Sequence, residues 1–434
     1  MEIQRNIHLN RLISRRNNGM IKVVTGLRRC GKSYLLFKLF DRYLRNEGVD
    51  DKHIIKINLE DRRNMALRDP DNLLAHIDSK LQDDQIHYIL LDEVQFVSEF
   101  EDVLNSYLQV PNADVYVTGS NAKFLSKDVI TEFRGRGDEV RIHPLSFGEF
   151  MNVRDGMSKA EALNEYVTYG GLPQVVLIDS VQDKRKYLQN LFRHTYLSDI
   201  RERHQIRNDD DLEELVNIIA SSIGGLINPQ KIMNTFHSVK HSDIGRNTIK
   251  RYLEYLEDAF LIEKALRYDI KGKKYIDTPA KYYFDDMGLR NARLNFRQTE
   301  PTHLFENAVY NELRLRGYSV DVGQVTRYVT GDDGKRERRN LEVDFVCNEG
   351  YKRSYIQVAY RLPDEEKRDQ ELNSLRNIND SFQKVVIVGD NYPKYQNDEG
   401  VLFISIYDFL LNENSLNDNN RNKVVPMLCT VCCE

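Results

Sequence analysis

Gly26-Leu27-Arg28-Arg29-Cys30-Gly31-Lys32-Ser33 fits the pattern G-x-x-x-x-G-K-[ST] at every position. The two glycines let the backbone wrap so that its N–H groups converge on an anion. A helix starting there adds the positive end of its dipole. A lysine at the seventh position can reach the β- and γ-phosphates, and a hydroxyl at the eighth can ligate a divalent cation. Sixty residues beyond Lys32, the apolar run Ile86–Leu91 ends on Asp92-Glu93. Asp92 can hold Mg²⁺ through its water shell, and Glu93 can orient and polarise an attacking water. These residues together predict a Mg·ATP site. Gly26, Leu27, Arg28, Arg29, Cys30, Gly31, Lys32 and Ser33 wrap the phosphates, Ser33 and Asp92 hold the metal, and Glu93 acts as the base.

Two further groups bear on the same chemistry. Ser120 and Asn121 follow the strand-like run Ala113–Thr118. In an open parallel sheet, ligands sit at the carboxyl ends of strands, so Asn121 can touch the γ-phosphate or the attacking water. Arg134 and Arg136, in Phe133-Arg134-Gly135-Arg136-Gly137, can offer positive charge to the transition state of a neighbouring copy. A helix cap at Ser120-Asn121 and a solvated arginine loop are the plainer readings.

The elements that would position these groups are short. Ile21–Thr25, His53–Leu59, Ile86–Leu91, Ala113–Thr118 and Glu139–Ile142 read as strands. Helical patterns separate them, which predicts a parallel sheet covered on both faces. Pro144 to Gln205 turns helical, broken at Gly170-Gly171-Leu172-Pro173. Residues 211–286 read as three helices and a β-hairpin. Asn228-Pro229 opens the second helix, and Ile249, Tyr252, Leu253, Leu256 and Phe260 form a buried stripe on the third. The unit from Pro301 to Leu411 has a helix at Phe305–Arg316, then strand-like runs. Arg327–Asn340 reads as a solvated hairpin tip, and the Asn/Asp-rich stretch beyond residue 412 as a flexible tail.

Taken with Gly119-Ser120-Asn121, Gly135-Arg136, Pro144–Phe150 (PLSFGEF), Gly170–Pro173 and Lys281–Leu289 (KYYFDDMGL), the nucleotide motifs make the chain resemble the AAA superfamily. More narrowly, it resembles prokaryotic ATPases that carry a C-terminal domain of unknown function, with a likeness extending to about residue 411. The resemblance implies an α/β P-loop ATPase core over 1–150, a helical lid over 151–207 and a winged helix over 208–295. A restriction-endonuclease-like domain over 296–411 and a tail over 412–434 follow. Arg246, Asn247, Lys250 and Arg251, with Lys271, Lys273 and Lys274 of the wing, are the groups for DNA phosphates. Acidic Glu254, Glu257 and Asp258 on the same helix argue instead for a protein partner. The endonuclease-like folds need a helix glutamate, a strand aspartate and then E-x-K. This chain offers Glu306 and Asp344 but Gln357-Val358-Ala359. A neutral amide is a poor Mg²⁺ ligand and alanine cannot replace the lysine, so cleavage is not expected.

The totals bound these readings. With 434 residues, two or three domains are expected. A net charge of −5 leaves any nucleic-acid surface local. No apolar run is long enough to span a bilayer, and the start at Met1-Glu2-Ile3 lacks a secretory layout; the expectation is a cytoplasmic ATPase, with a homo-oligomer or a protein partner in view. Three of the five cysteines, Cys429, Cys432 and Cys433, crowd the last residues, one ligand short of a metal site. Three functions fit: an ATPase switch or motor acting on DNA, an ATP-regulated DNA nuclease, and a signalling or scaffold ATPase that binds proteins.

Overall fold

The computed structural model describes residues 2–119, 133, 135–206, 209–298, 300–330 and 336–416. Ser120, Asn121, Arg134 and the tail cysteines lie outside the described residues.

The first sheet has five strands: β1 (Ile21–Gly26), β2 (Ile54–Asn58), β3 (His87–Asp92), β4 (Ala113–Thr118) and β5 (Gly137–Ile142). All neighbours run parallel, in the order β2-β3-β4-β1-β5. Its central strands are apolar on both faces because helices cover both. Val24, Leu90, Tyr116 and Val140 pack on the helical run that begins at Lys32 and includes Leu36 and Phe40. Val23, Ile89, Leu91, Val115 and Val117 pack on Leu73, Ile77, Phe100 and Leu104. Insertion of β4 between β1 and β3 brings Thr118 to the gap between the glycine loop and Asp92-Glu93.

Helices Phe147–Val153, Lys159–Tyr169, Val181–Leu191 and Ser198–His204 follow. The break at Gly170-Gly171 has a steric cause. A Cβ at Gly170 would lie 2.2 Å from the Asp286 carboxylate, and one at Gly171 would lie 2.4 Å from the Leu145 carbonyl oxygen. Asp286 accepts from Gly171 N–H at 2.8 Å and caps the helix Met287–Arg293 through Leu289 N–H at 3.0 Å.

Helices Asp209–Ser221, Pro229–Thr235 and Arg246–Asp258 lead into a hairpin of β6 (Ile262–Asp269) and β7 (Lys274–Phe284). Asn228 accepts from Gln230 N–H at 2.9 Å, as a cap before proline should. Ile249, Tyr252, Leu253 and Leu256 are buried, whereas Phe260 lies beyond the helix end at a positive φ. The hairpin does not stand apart from the C-terminal unit. Beyond the helix Pro301–Leu315 come β8 (Ser319–Thr330), β9 (Arg336–Glu349), β10 (Lys352–Ala359), β11 (Gln383–Val388), β12 (Tyr395–Gln396) and β13 (Val401–Ser405). They form one eight-stranded sheet with the hairpin, ordered β12-β13-β11-β10-β9-β8-β6-β7. β6 pairs with β8 in parallel, Arg267 opposite Val322. The expected division at 295/296 therefore runs through a shared sheet, because pairing with β8 satisfies the edge that β6 would otherwise leave open.

Two expectations on loops also differ. Arg327–Asn340 is largely ladder rather than tip, with Arg327 opposite Arg339 and Tyr328 opposite Arg338. The expected flexible tail from 412 begins instead with an exposed turn that ends in two packed residues. Ser415 and Leu416 are buried, and Arg316 donates to Ser415 Oγ at 3.0 Å. No helix among the described residues is long and apolar enough to cross a membrane.

Candidate functional site

The glycine loop joins β1 to the helical run starting at Lys32. Gly26 sits at φ +132°, and a Cβ there would fall 2.1 Å from the Ile142 carbonyl oxygen at the end of β5. Gly31 also has a positive φ, +103°. Both positions therefore need glycine. Leu27 and Cys30 are fully buried, so they serve the core through their side chains and the loop through their backbone. Burial pushes the Cys30 thiol up, which leaves it inert.

Lys32 is 4% exposed, and its ammonium donates to the carbonyl oxygens of Gly26 at 2.9 Å and Leu27 at 3.2 Å. Ser33 Oγ donates to Asp92 Oδ1 at 2.9 Å. Burial pushes the Asp92 carboxyl above its ordinary value, and the hydroxyls of Thr118 and Ser33 oppose that shift. A buried carboxylate beside a hydroxyl, both reaching into the mouth of a glycine loop, fits a hard divalent cation. Glu93 has a left-handed backbone, its N–H donates to Thr118 Oγ1 at 3.1 Å, and Gln95 donates to its carboxylate. Thr118 was missed by sequence reasoning, which looked one step further along the chain to Ser120 and Asn121. A hydroxyl closing an apolar strand was the available signal.

Arg28 and Arg29 follow Leu27. Arg28 pairs with Asp199 of the helix Ser198–His204, and its carbonyl accepts from Tyr196 Oη at 2.7 Å. Arg28, Glu60, Glu93, Gln95, Phe96, Asp199 and Arg203 line a cleft of about 480 Å³ between the sheet and this helix.

Arg136 is not brought to this site. Its carbonyl accepts from Ile21 N–H, at the entry of β1, and Ile21 pairs with Gly137. The glycine loop leaves the other end of β1, six residues away, a distance of roughly 20 Å at strand rise. A catalytic Arg136 within the same chain is therefore excluded by the parallel register.

A second missed residue is Arg5. Its guanidinium donates to the Cys30 carbonyl at 2.8 Å, to the His143 carbonyl, and to Glu149 Oε1 at 3.2 Å. Glu149 also closes a capping box with Ser146, which accounts for the run at 144–150. The His143 ring then meets Asp285 at 3.0 Å. A polar chain thus links the back of the glycine loop to Asp285-Asp286, where the hairpin leaves the C-terminal sheet.

Glu306 and Asp344 form a second, buried carboxylate cluster, with the exposed Glu342 at its edge. Glu306 accepts from Lys281 Nζ at 2.9 Å and Tyr283 Oη at 2.6 Å, and Lys281 also meets Glu342 at 2.7 Å. Burial raises the Glu306 carboxyl, but Lys281, His303 and Tyr283 outweigh it and hold the group low. Burial, then the Glu306 charge, pushes Asp344 well above the carboxylate range, and its Oδ2 accepts from Val358 N–H at 2.8 Å. Gln357 turns to the next helix, donating to Glu371 at 3.2 Å. Lys281 and Glu342 lay outside the expected E-x-K arrangement because β7 brings the lysine in from the hairpin.

Residues 18–151 match the family described as AAA domain, a class whose members generally bind ATP with Mg²⁺. Residues 160–300 match a domain of unknown function, DUF8612. The chain is 35% identical over 414 residues to an uncharacterized protein of Haemophilus influenzae, covering 94% of this chain and 98% of that protein. It is 33% identical over 367 residues to the uncharacterized protein MJ1544 of Methanocaldococcus jannaschii, covering 82% and 77%. The chain belongs to the family of these two proteins. Similar solved structures include the Aeropyrum pernix ORC1 protein in complex with DNA, at 13% identity, 68% and 92% coverage and a TM-score of 0.26. Another is C. elegans PCH-2, at 15%, 58% and 65% and 0.25.

Proposed function

We propose that this protein is an ATPase that hydrolyses ATP to ADP and phosphate and uses its nucleotide state to reposition the hairpin-bearing helices and the C-terminal sheet. The observation that carries this reading is the convergence of Lys32, Ser33, Asp92 and Glu93 at one mouth. Lys32 exchanges its two carbonyl partners for β/γ-phosphate oxygens. Ser33 and Asp92 would hold Mg²⁺, which would supply charge neutralisation on the transferring phosphoryl group. Glu93, fixed by Thr118 and Gln95, aligns the water. Arg136 serves the site of a neighbouring copy, since it cannot reach its own. The chain Cys30–Arg5–His143–Asp285 carries a change in loop geometry toward the C-terminal half.

The target of that movement is proposed to be DNA, met by a winged helix over 208–295. Arg246, Asn247 and Arg251 are exposed at the start of the third helix, and Lys271, Lys273 and Lys274 are exposed at the hairpin tip. Lys250 is half-buried, with Asp277 in its field, and contributes less. ATP turnover measured with and without single- and double-stranded DNA tests the reading. Stimulation that fades with salt supports it, because phosphate contacts release counterions. ATPase activity indifferent to both nucleic acids assigns the winged helix to a protein partner.

A nuclease is the second reading, favoured by the order helix, β8, β9, β10 and by the carboxylates Glu306 and Asp344. Lys281 argues against cleavage. Its ammonium occupies the position between carboxylates where a divalent cation would bind, and Asp344 is held toward its neutral form. Plasmid DNA incubated with Mg²⁺ or Mn²⁺, with and without ATP, should stay intact. Cleavage lost in Asp344→Ala would move the nuclease to first place.

A further inference from the structure

A different cluster lies at the opposite end of the ATPase sheet. His53 ends a short turn just before β2, and His87 is the first residue of β3. The register pairs Ile54 with Tyr88, so the two histidines stand side by side at the strand entries. Their rings meet edge to face with centroids 4.8 Å apart. Both are buried, at 7% and 1% exposure. Asp83, in the loop before β3, reaches back to them. Its carboxylate oxygens lie 3.0 Å from His53 Nε2, and Oδ1 lies 4.0 Å from His87 Nε2.

An ion pair explains His53 and Asp83 but not His87. His87 Nδ1 lies 2.8 Å from the Gln85 carbonyl oxygen, so that nitrogen carries the proton. Its Nε2 lies 4.0 Å from the Asp83 carboxylate, too far for a hydrogen bond. A backbone carbonyl fixing one ring nitrogen while the other faces its neighbours is how metal-binding histidines are oriented. Asp83 is itself held, accepting from Gln85 N–H at 3.0 Å, while its carbonyl accepts from Asn112 at 2.8 Å. Lys52 donates to Asp83 Oδ2 at 2.9 Å, and Oδ1, which takes the Gln85 N–H, is the oxygen 4.0 Å from His87 Nε2. The donor atoms all lie within 4.8 Å of one another. Ligands of a tetrahedral zinc sit roughly 3.3–3.5 Å apart, and rotation of the partly exposed Asp83 carboxylate and the rings closes that difference.

We propose that His53, His87 and Asp83 form a binding site for a divalent transition metal of the zinc class, with the fourth position taken by water. The metal clips the edge strand β2 and the loop before β3 to the sheet. Two imidazoles and one carboxylate are a donor set for Zn²⁺ rather than for Mg²⁺ or Ca²⁺. The site stands apart from Lys32, so its loading is separable from ATP binding.

The test uses the full chain with Cys429, Cys432 and Cys433 changed to Ser, because thiols would compete for the metal. After stripping with chelator, Zn²⁺ is titrated against a chromophoric competitor, and Co²⁺ is added in parallel for its visible spectrum. The expected result is stoichiometric binding, a Co²⁺ spectrum without thiolate charge transfer, and a rise in Tm on loading. Asp83→Asn, at a partly exposed position, should weaken Zn²⁺ at least tenfold while leaving binding of a fluorescent ATP analogue unchanged. His53→Gln should do the same. Failure of the stripped chain to bind Zn²⁺, or binding that survives both substitutions, overturns the proposal.

Discussion

Lys32 and Lys281 are both almost fully buried, and they are treated in opposite ways. Lys32 rests on the carbonyl oxygens of Gly26 and Leu27, partners with no net charge. Lys281 is pressed between the carboxylates of Glu306 and Glu342. A buried ammonium hydrogen-bonded only to neutral carbonyls gains by exchanging them for phosphate. One already paired with two carboxylates has no such gain, and its removal strands the acids. The same side chain is therefore a ligand-binding group at one site and a plug at the other. What distinguishes them is the partner set, which depends on the topology and not on the lysine.

The comparison breaks first at Lys32. Lys32→Ala should abolish binding of a fluorescent ATP analogue while circular dichroism and Tm stay close to the parent's. Unchanged affinity in a folded variant would remove the phosphate role. Next in size is Glu93→Gln, which should keep ATP binding but slow single-turnover hydrolysis by ~100-fold or more, since a positioned base contributes roughly 10²–10⁴ in rate. A rate near the parent's would move the base elsewhere.

Lys281→Met sharpens the contrast from the other side. It should lower stability to urea by about 3 kcal/mol, the cost of leaving the buried Glu306 without its ammonium, and leave ATP affinity alone. Mn²⁺ should then raise the variant's Tm more than the parent's, because Glu306 and Glu342 become free to hold it. A variant indifferent to Mn²⁺ would show that the lysine does not stand in a cation's place.

The smallest effect concerns Asp286, a buried acid whose partners, like those of Lys32, are neutral backbone groups. Burial pushes its carboxyl up to about 7 from 3.8. Between those values the folded state keeps a proton that the unfolded chain has released, so stability falls as pH rises from about 4 to 7. The slope approaches ~1.4 kcal/mol per pH unit in that window. Asp286→Asn, neutral throughout, should flatten it, as urea unfolding at pH 5 and pH 7 would show. Equal slopes in parent and variant would place the titrating group elsewhere.

Most of the nucleotide site could be read from the sequence because its information is local. Two glycines, a lysine and a serine in eight positions, and two acids ending an apolar run, need no knowledge of distant contacts. The strands of the first sheet were visible for the same reason, through unbroken β-branched runs bounded by turns. Arg5 could not be found this way, since its contacts to Cys30, His143 and Glu149 span 25, 138 and 144 residues. Thr118 needed the strand order, and so did the distance of Arg136 from its own glycine loop, because spacing along the chain does not tell which end of a parallel strand a residue occupies. Lys281 belongs to a carboxylate cluster only because β6 chooses β8 as its neighbour, which no local pattern encodes.

That pairing also limits how the chain can be dissected. The stretch matching the domain of unknown function stops at residue 300, between β7 and β8, although β6 and β8 are neighbours in one sheet. A fragment cut there would bare the outer edge of β6, a row of unpaired N–H and C=O groups that invites a second chain. It would also leave Lys281 without both Glu306 and Glu342. The sequence-defined segment is thus shorter than the smallest piece able to fold cleanly, and that piece runs on through the C-terminal strands to the buried Leu416.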